Sequence, residues 1–171
     1  GAAAATPGAG EIAATAADMR SLALAEDFDL ALVPREALQL LPPAQGATAL
    51  AAVGRHIVPG GRMLVDLAAF ATTTHDPPDP DYYDPARPDG AWRQDWVRKV
   101  DAATRLSRWS AQRHEPDGSA ISFTLRYEVD RGTHARETWQ SEMTLHRYSQ
   151  SWLADNTPAG WVLETLYGGY G

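Results

Sequence analysis

The stretch ALAAVGRHIVPGGRMLVDL, Ala49 to Leu67, decides the fold. Leu50, Val53 and Ile57 recur at i, i+3 and i+7, the spacing of one helix face, and Pro59-Gly60-Gly61 predicts its end. Arg62 to Leu67 is then a short apolar run, and another, FDLALV at Phe28 to Val33, precedes the helix. Apolar runs of this length without alternation read as buried strands of a parallel sheet. Strand, helix, strand is a crossover unit, which in one sheet is right-handed.

From Trp92 onward the period falls to two. AISFTLRYEV sets Ile121, Phe123, Leu125, Tyr127 and Val129 on one face and Ser122, Thr124, Arg126 and Glu128 on the other, the alternation of a half-buried antiparallel strand. Similar segments cover roughly 93–100, 105–113 and 136–148, joined by the turn-like DAAT, EPDG and DRGT. All six tryptophans lie in this half. SQSWLADN predicts a short helix, and WVLETLYGGYG reads as one more strand. Between the halves, TTTHDPPDPDYYDPARPDG (Thr72 to Gly90) carries five prolines and is too rigid and polar for a helix or a central strand.

At 171 residues the chain has a one-domain length. Its net charge of −7 argues against a nucleic-acid surface, since neutralising phosphates needs a surplus of Lys and Arg. Lys99 is the only lysine. The absence of cysteine excludes disulfides, thiolate ligands and thiolate nucleophiles, and with it the expectation is a cytoplasmic protein. The Ala-rich start has no positive n-region and is broken by Pro7, Gly8 and Gly10, so it does not read as a signal peptide. No apolar run is long enough to span a bilayer.

Taken in order, ADMRSL (Ala17 to Leu22), FDLALV, ALAAVGRHIVPGGRMLVDL, the inserted strands and LHRYSQSWLADNTPAGWVLETLYGGYG resemble the later motifs of class I S-adenosylmethionine-dependent methyltransferases. The nearest resemblance is to the small-molecule type with an antiparallel lid after the fifth strand, such as amino-sugar N-methyltransferases. It implies an α/β, Rossmann-like core in 1–71, a Pro-rich linker in 72–91, an antiparallel β lid in 92–148 and a return to the core in 149–171. The implied cofactor is S-adenosylmethionine, and the implied activity is methyl transfer to N or O of a small molecule.

In that family the Asp after the third strand accepts from the adenine amino group and the next residue's backbone N–H meets the ring. The resemblance puts these roles on Asp18 and Met19, with Val33, Pro34 and Leu38 walling the cofactor cleft and Tyr82, Tyr83, Tyr167 and Tyr170 near the acceptor. Asp18 as a simple turn or helix cap is the competing reading. The family's usual ending resembles LYGDYDG, whereas here the chain reads LYGGYG.

Two family features have no counterpart: the Gly-rich loop after the first strand and the acidic residue that follows the second. TPGAGE follows no strand and lies too close to Asp18 to replace the loop. In the family's sheet the first strand separates the third, here near Glu11 to Ala17, from the fourth, here FDLALV. The expectation is therefore a gap beside FDLALV: either the chain is the C-terminal part of a longer protein, or something else fills the gap, an N-terminal segment from another chain or a homo-oligomer. A small-molecule acceptor is the expected partner, with no nucleic acid and no membrane.

His75 with Asp76, Asp79, Asp81 and Asp84 matches no known cation loop, so it reads as a solvated acidic segment and no metal is expected. His56 is expected to meet the last carbonyls of the helix, and His146 to sit at the surface of its strand. No Ser/His/Asp grouping supports covalent catalysis, and no general base is identified. Two readings stay open beside the methyltransferase: a non-catalytic methyltransferase-like subunit or ligand-binding protein, and an enzyme reusing the scaffold for another reaction.

Overall fold

The computed structural model describes residues 12–68, 83–132 and 136–167. Its elements run β1 (Phe28–Val33), α1 (Pro43–Gly54), β2 (Ile57–Val65), β3 (Arg93–Lys99), β4 (Arg105–His114), β5 (Ala120–Asp130), β6 (Glu137–His146) and α2 (Gln150–Asp155), with 3-10 turns at Met19–Ser21 and Ala37–Leu40. They build two sheets.

The first sheet is the parallel pair β1 and β2 with α1 as crossover. Pro43 sits in the first turn of α1, where its missing N–H costs no helix bond. The face Gly46, Ala49, Leu50 and Val53 is buried, and Ala49 and Leu50 pack on Val33 and Leu38. The predicted helix end is corrected. Phe28 N donates to His56 O at 2.8 Å, so the chain has already joined the sheet by His56, and Ile57 opens β2. Pro59-Gly60-Gly61 lies inside β2 as a bulge: Phe28 pairs with Ile57 but Leu30 with Arg62. Gly60 has φ +84°, and a Cβ on Gly61 would lie 2.8 Å from Asp29 O, so the bulge requires glycine at both positions.

Neither strand is buried on both faces as the sequence suggested. Phe28, Leu30 and Leu32 of β1 are 42, 49 and 62% exposed, because among the described residues only β2 pairs with β1. The expected third strand is corrected as well: 12–17 form no strand and are exposed, having no neighbouring ladder. The strand expected over Trp161 onward is also corrected. Residues 161–167 are irregular; Trp161 packs on Gly54 and Arg62 approaches Glu164 at 3.5 Å, but no backbone ladder forms.

The second sheet is an antiparallel meander ordered β3-β4-β5-β6. β4 and β5 pair without interruption from Arg105↔Asp130 to His114↔Ile121. The turn into β4 is closed by Asp101 Oδ1, which accepts from Ala103 N and Thr104 N at 2.8 Å. Ile121, Phe123 and Leu125 are buried as their alternation requires, with Tyr83, Ala68 and Leu145 completing the cluster around Ile121 and Phe123.

Two side chains tie the sheets together. Gln39 Nε2 donates to Ala68 O and His146 O at 3.2 and 3.1 Å, while its Oε1 accepts from Ala68 N at 2.6 Å. Tyr148 Oη donates to Leu38 O and Leu41 O at 3.2 and 2.9 Å. Ser149 caps α2 by accepting from Trp152 N.

Candidate functional site

Among the described residues only β2 pairs with β1, and a groove of about 380 Å³ lies between Thr15, Ala17 and Met19 on one side and β1 on the other. Leu30, Leu32, Val33, Pro34 and His56 also line it. Its wall is apolar and none of its lining residues is a carboxylate, so it suits a flat apolar ring better than a polyol. Val33 and Pro34 place one end at the carboxyl edge of β1, the side on which open α/β sheets bind ligands.

His56 closes the groove's other end. Its Nε2 lies 3.2 Å from Leu22 O and 3.3 Å from Leu24 N, so it ties residues 22–24 to the α1–β2 junction. The expected contact with the α1 carbonyls is corrected, because the ring turns away to satisfy backbone of the 22–24 segment. His146 is half-buried rather than a surface residue, in β6 opposite Ala120.

Met19, Val33 and Pro34 thus come together around one groove. Leu38 does not line it: the side chain is fully buried and backs the wall from within the core. Asp18 stands outside it, with its side chain exposed, and does what a cap does. Its Oδ1 accepts from Arg20 N at 2.9 Å, starting the turn Met19–Ser21, and its carboxylate pairs with the Arg20 guanidinium at 2.6 Å. The Arg20 bonds hold the carboxyl down at about 2. Arg20 reaches on to Gln45 Oε1 at 2.7 Å, anchoring the turn to α1.

Of the four tyrosines, Tyr82 and Tyr170 lie outside the described residues. Tyr167 is exposed. Tyr83 is 1% exposed, edge-on to Phe123 and His114, and burial raises its pKa. His75, Asp76, Asp79 and Asp81 also fall outside the described residues, and among those described no three metal-ligating side chains cluster.

Residues 84–89, at the end of the linker, are docked on β4. Gln112 Nε2 donates to Asp84 O and Arg87 O at 2.6 and 3.0 Å, and Arg87 donates to Ser110 Oγ and Gln112 Oε1 at 3.0 and 2.9 Å. Ser110 continues the network to Asp95 at 2.7 Å, whose buried carboxylate also takes Arg108 at 3.0 Å. Asp89 then holds His114 by both oxygens, accepting from its backbone N at 3.2 Å and meeting Nδ1 at 2.7 Å. The sequence reading missed this row because its partners are 13 to 28 residues apart.

No protein-family model and no curated protein matches the chain. Solved structures do. CalS10, an amino pentose methyltransferase from Micromonospora echinaspora solved with S-adenosylmethionine bound, matches with a TM-score of 0.60 at 18% identity, over 82% of this chain and 52% of its own. KedS8, a sugar N-methyltransferase from Streptoalloteichus sp., gives 0.62 at 18% identity, over 82% and 50%. An S-adenosylmethionine-dependent methyltransferase from Clostridium acetobutylicum gives 0.61 at 12% identity, over 84% and 50%. The chain has a class I S-adenosylmethionine methyltransferase-like fold, and it spans about half the length of the structures it matches.

Proposed function

We propose that this chain carries the adenine end of an S-adenosylmethionine site and the lid of an enzyme that methylates a small molecule at N or O, an amino sugar being the acceptor class suggested by the neighbours' names. The observation that carries this reading is the groove at β1, where Met19, Val33 and Pro34 converge at the strand's carboxyl edge within a methyltransferase-like fold. An adenine ring between Met19 and the β1 wall would bury apolar surface on both faces. Asp18, beside the groove, would accept from the exocyclic amine by giving up one of the four Arg20 contacts that its two oxygens now make. The cofactor, when bound, supplies an electrophilic methyl group; the protein aligns it with the acceptor and excludes water. Tyr167, and with it Tyr82 and Tyr170, are assigned to the acceptor side. Tyr83, buried, supports that side from beneath.

The ribose and methionine parts of the cofactor find no matching residues along the groove. That observation favours a second reading, a methyltransferase-like subunit that binds without transferring. Calorimetric titration of S-adenosylmethionine into wild type and Asp18→Ala tests the adenine site, and a methyl-transfer assay separates the two readings. The first reading expects binding that weakens about tenfold to a hundredfold in the variant, the range of a charge-assisted hydrogen bond, beside a loss of about 0.5–2 kcal/mol of stability from the cap on Arg20 N. Absence of binding by wild type, or equal affinities, refutes it for this site.

A further inference from the structure

We infer that Asp89 and His114 form an oriented proton-accepting dyad on the acceptor side of the proposed site, removing the proton that an acceptor amine must lose before it is methylated. The inference deepens the reading above and rests on it.

The geometry fixes the imidazole. Asp89 presents one carboxylate oxygen to His114 Nδ1 at 2.7 Å and the other to His114 N at 3.2 Å. Because His114 holds the Asp89 carboxyl below its ordinary value, the carboxylate is ionised and acts only as acceptor. A neutral His114 must therefore carry its proton on Nδ1, which leaves the Nε2 lone pair available. Among the described residues no group bonds Nε2, and the side chain is 34% exposed. An oriented base with an open second nitrogen is the arrangement that general-base catalysis requires.

Position is the second argument. His114 lies edge-on to Tyr83 at 6.0 Å between ring centroids. Tyr83 packs in one cluster with Ala68, just past the carboxyl end of β2, and Gln39 bonds Ala68 from just past the carboxyl end of β1. Through Tyr83, one of the tyrosines assigned to the acceptor side, the dyad is joined to that side of the proposed site.

Chemistry supplies the third. An ammonium has no lone pair, so it must first give an N–H proton to His114 Nε2, the electron pair staying on nitrogen. That pair then forms the N–CH3 bond while the C–S bond of the sulfonium donor breaks and its electrons remain on sulfur as a neutral thioether. His114 is left as an imidazolium facing Asp89 and passes the proton to solvent.

The test begins without any ligand. Long-range ¹H–¹⁵N correlation spectra of the histidine-labelled chain should show neutral His114 as the Nδ1–H tautomer, and Asp89→Asn should erode that preference. An Nε2–H tautomer in wild type overturns the dyad. Next, methyl transfer from S-adenosylmethionine to the probe 3-amino-3-deoxyglucose should fall about 10²- to 10⁴-fold in His114→Ala, with unchanged cofactor affinity and partial recovery on adding imidazole. An unchanged rate, or a loss that imidazole does not restore in a variant of wild-type melting, overturns the base. Failure of wild type to bind S-adenosylmethionine instead overturns the preceding section's reading, while the tautomer still decides the dyad.

Discussion

Gly46 lies in the second turn of α1, and its replacement by alanine is decided by one neighbour. A Cβ there would overlap Tyr148 Oη and lie 2.9 Å from its Cε1 and Cζ, so the ring must move. Moving it breaks the bonds from Tyr148 Oη to Leu38 O and Leu41 O, each contributing about 0.5–1.5 kcal/mol. It also disturbs the edge-on contact with Trp152 at 4.4 Å, worth about 0.5–1.5 kcal/mol. Against this stands the helix preference for Ala over Gly, about 1 kcal/mol. Net destabilisation by Gly46→Ala is expected at about 2–4 kcal/mol once overpacking is included, read as a lower denaturation midpoint with unchanged slope. In a Tyr148→Phe background the worst overlap disappears and the same substitution should cost about 1–2 kcal/mol less, a coupling that a double-mutant cycle isolates. A neutral or stabilising Gly46→Ala, or costs that simply add, would refute the placement of Tyr148 against α1.

Burial pushes the Tyr148 phenol up to about 12, above its unfolded value near 10. Its contribution is therefore complete below pH 10 and lost as pH rises through 12, and Tyr148→Phe should flatten the fall in stability across that window in alkaline denaturation curves. Amides of β4 and β5 should exchange more slowly than those of β3, because the two inner strands are paired on both edges while β3 is paired on one; equal exchange in inner and edge strands contradicts the sheet order. The exposed Phe28, Leu30 and Leu32 should drive self-association of the isolated chain, since burying apolar surface is worth roughly 25 cal/mol per Å². Sedimentation should show this, and Leu30→Lys/Leu32→Lys should abolish it; a wild-type monomer at high concentration would disprove it.

The antiparallel sheet was legible because alternation over β5 is a long, repeated signal, and Ile121, Phe123 and Leu125 on one face of that strand are buried. Phe28–Val33 was legible as a strand but not as an exposed one: apolar composition reports what a strand can bury, whereas burial depends on a neighbour that sequence pattern does not reveal. Pro59-Gly60-Gly61 was misread because a helix end and a strand bulge demand the same residues, a glycine at positive φ and a glycine with no room for Cβ. Residues 161–167 show the converse, an apolar pattern suited to a strand that pairs with no edge among the described residues. Met19, Val33 and Pro34 were brought together by resemblance; local chemistry alone gave Asp18 its cap, and the cap is what its contacts show.

The docked end of the linker had a signal that went unused. Ser110, Gln112 and His114 occupy i, i+2 and i+4 on β4, the face that Leu125, Phe123 and Ile121 share in the paired strand. A polar row on a face that is otherwise apolar and buried must find polar partners or leave costly groups unsatisfied. Ser110 and Gln112 are 0 and 1% exposed, so the requirement was strict, and a segment carrying Asp and Arg, folded into turns that Arg87 N→Asp84 O and Ala91 N→Pro88 O close at 3.1 Å, was the available answer. Pro85 and Pro88 keep the segment from coiling into a helix, leaving Asp84, Arg87 and Asp89 spread along β4. Arg87 meets Ser110 and Gln112, the backbone at Asp84 meets Gln112, and Asp89 meets His114, the last of the row. The acidic, proline-rich composition that suggested a solvated loop is thus what satisfies the polar row of β4, and its final contact is the one that leaves His114 Nε2 open among the described residues.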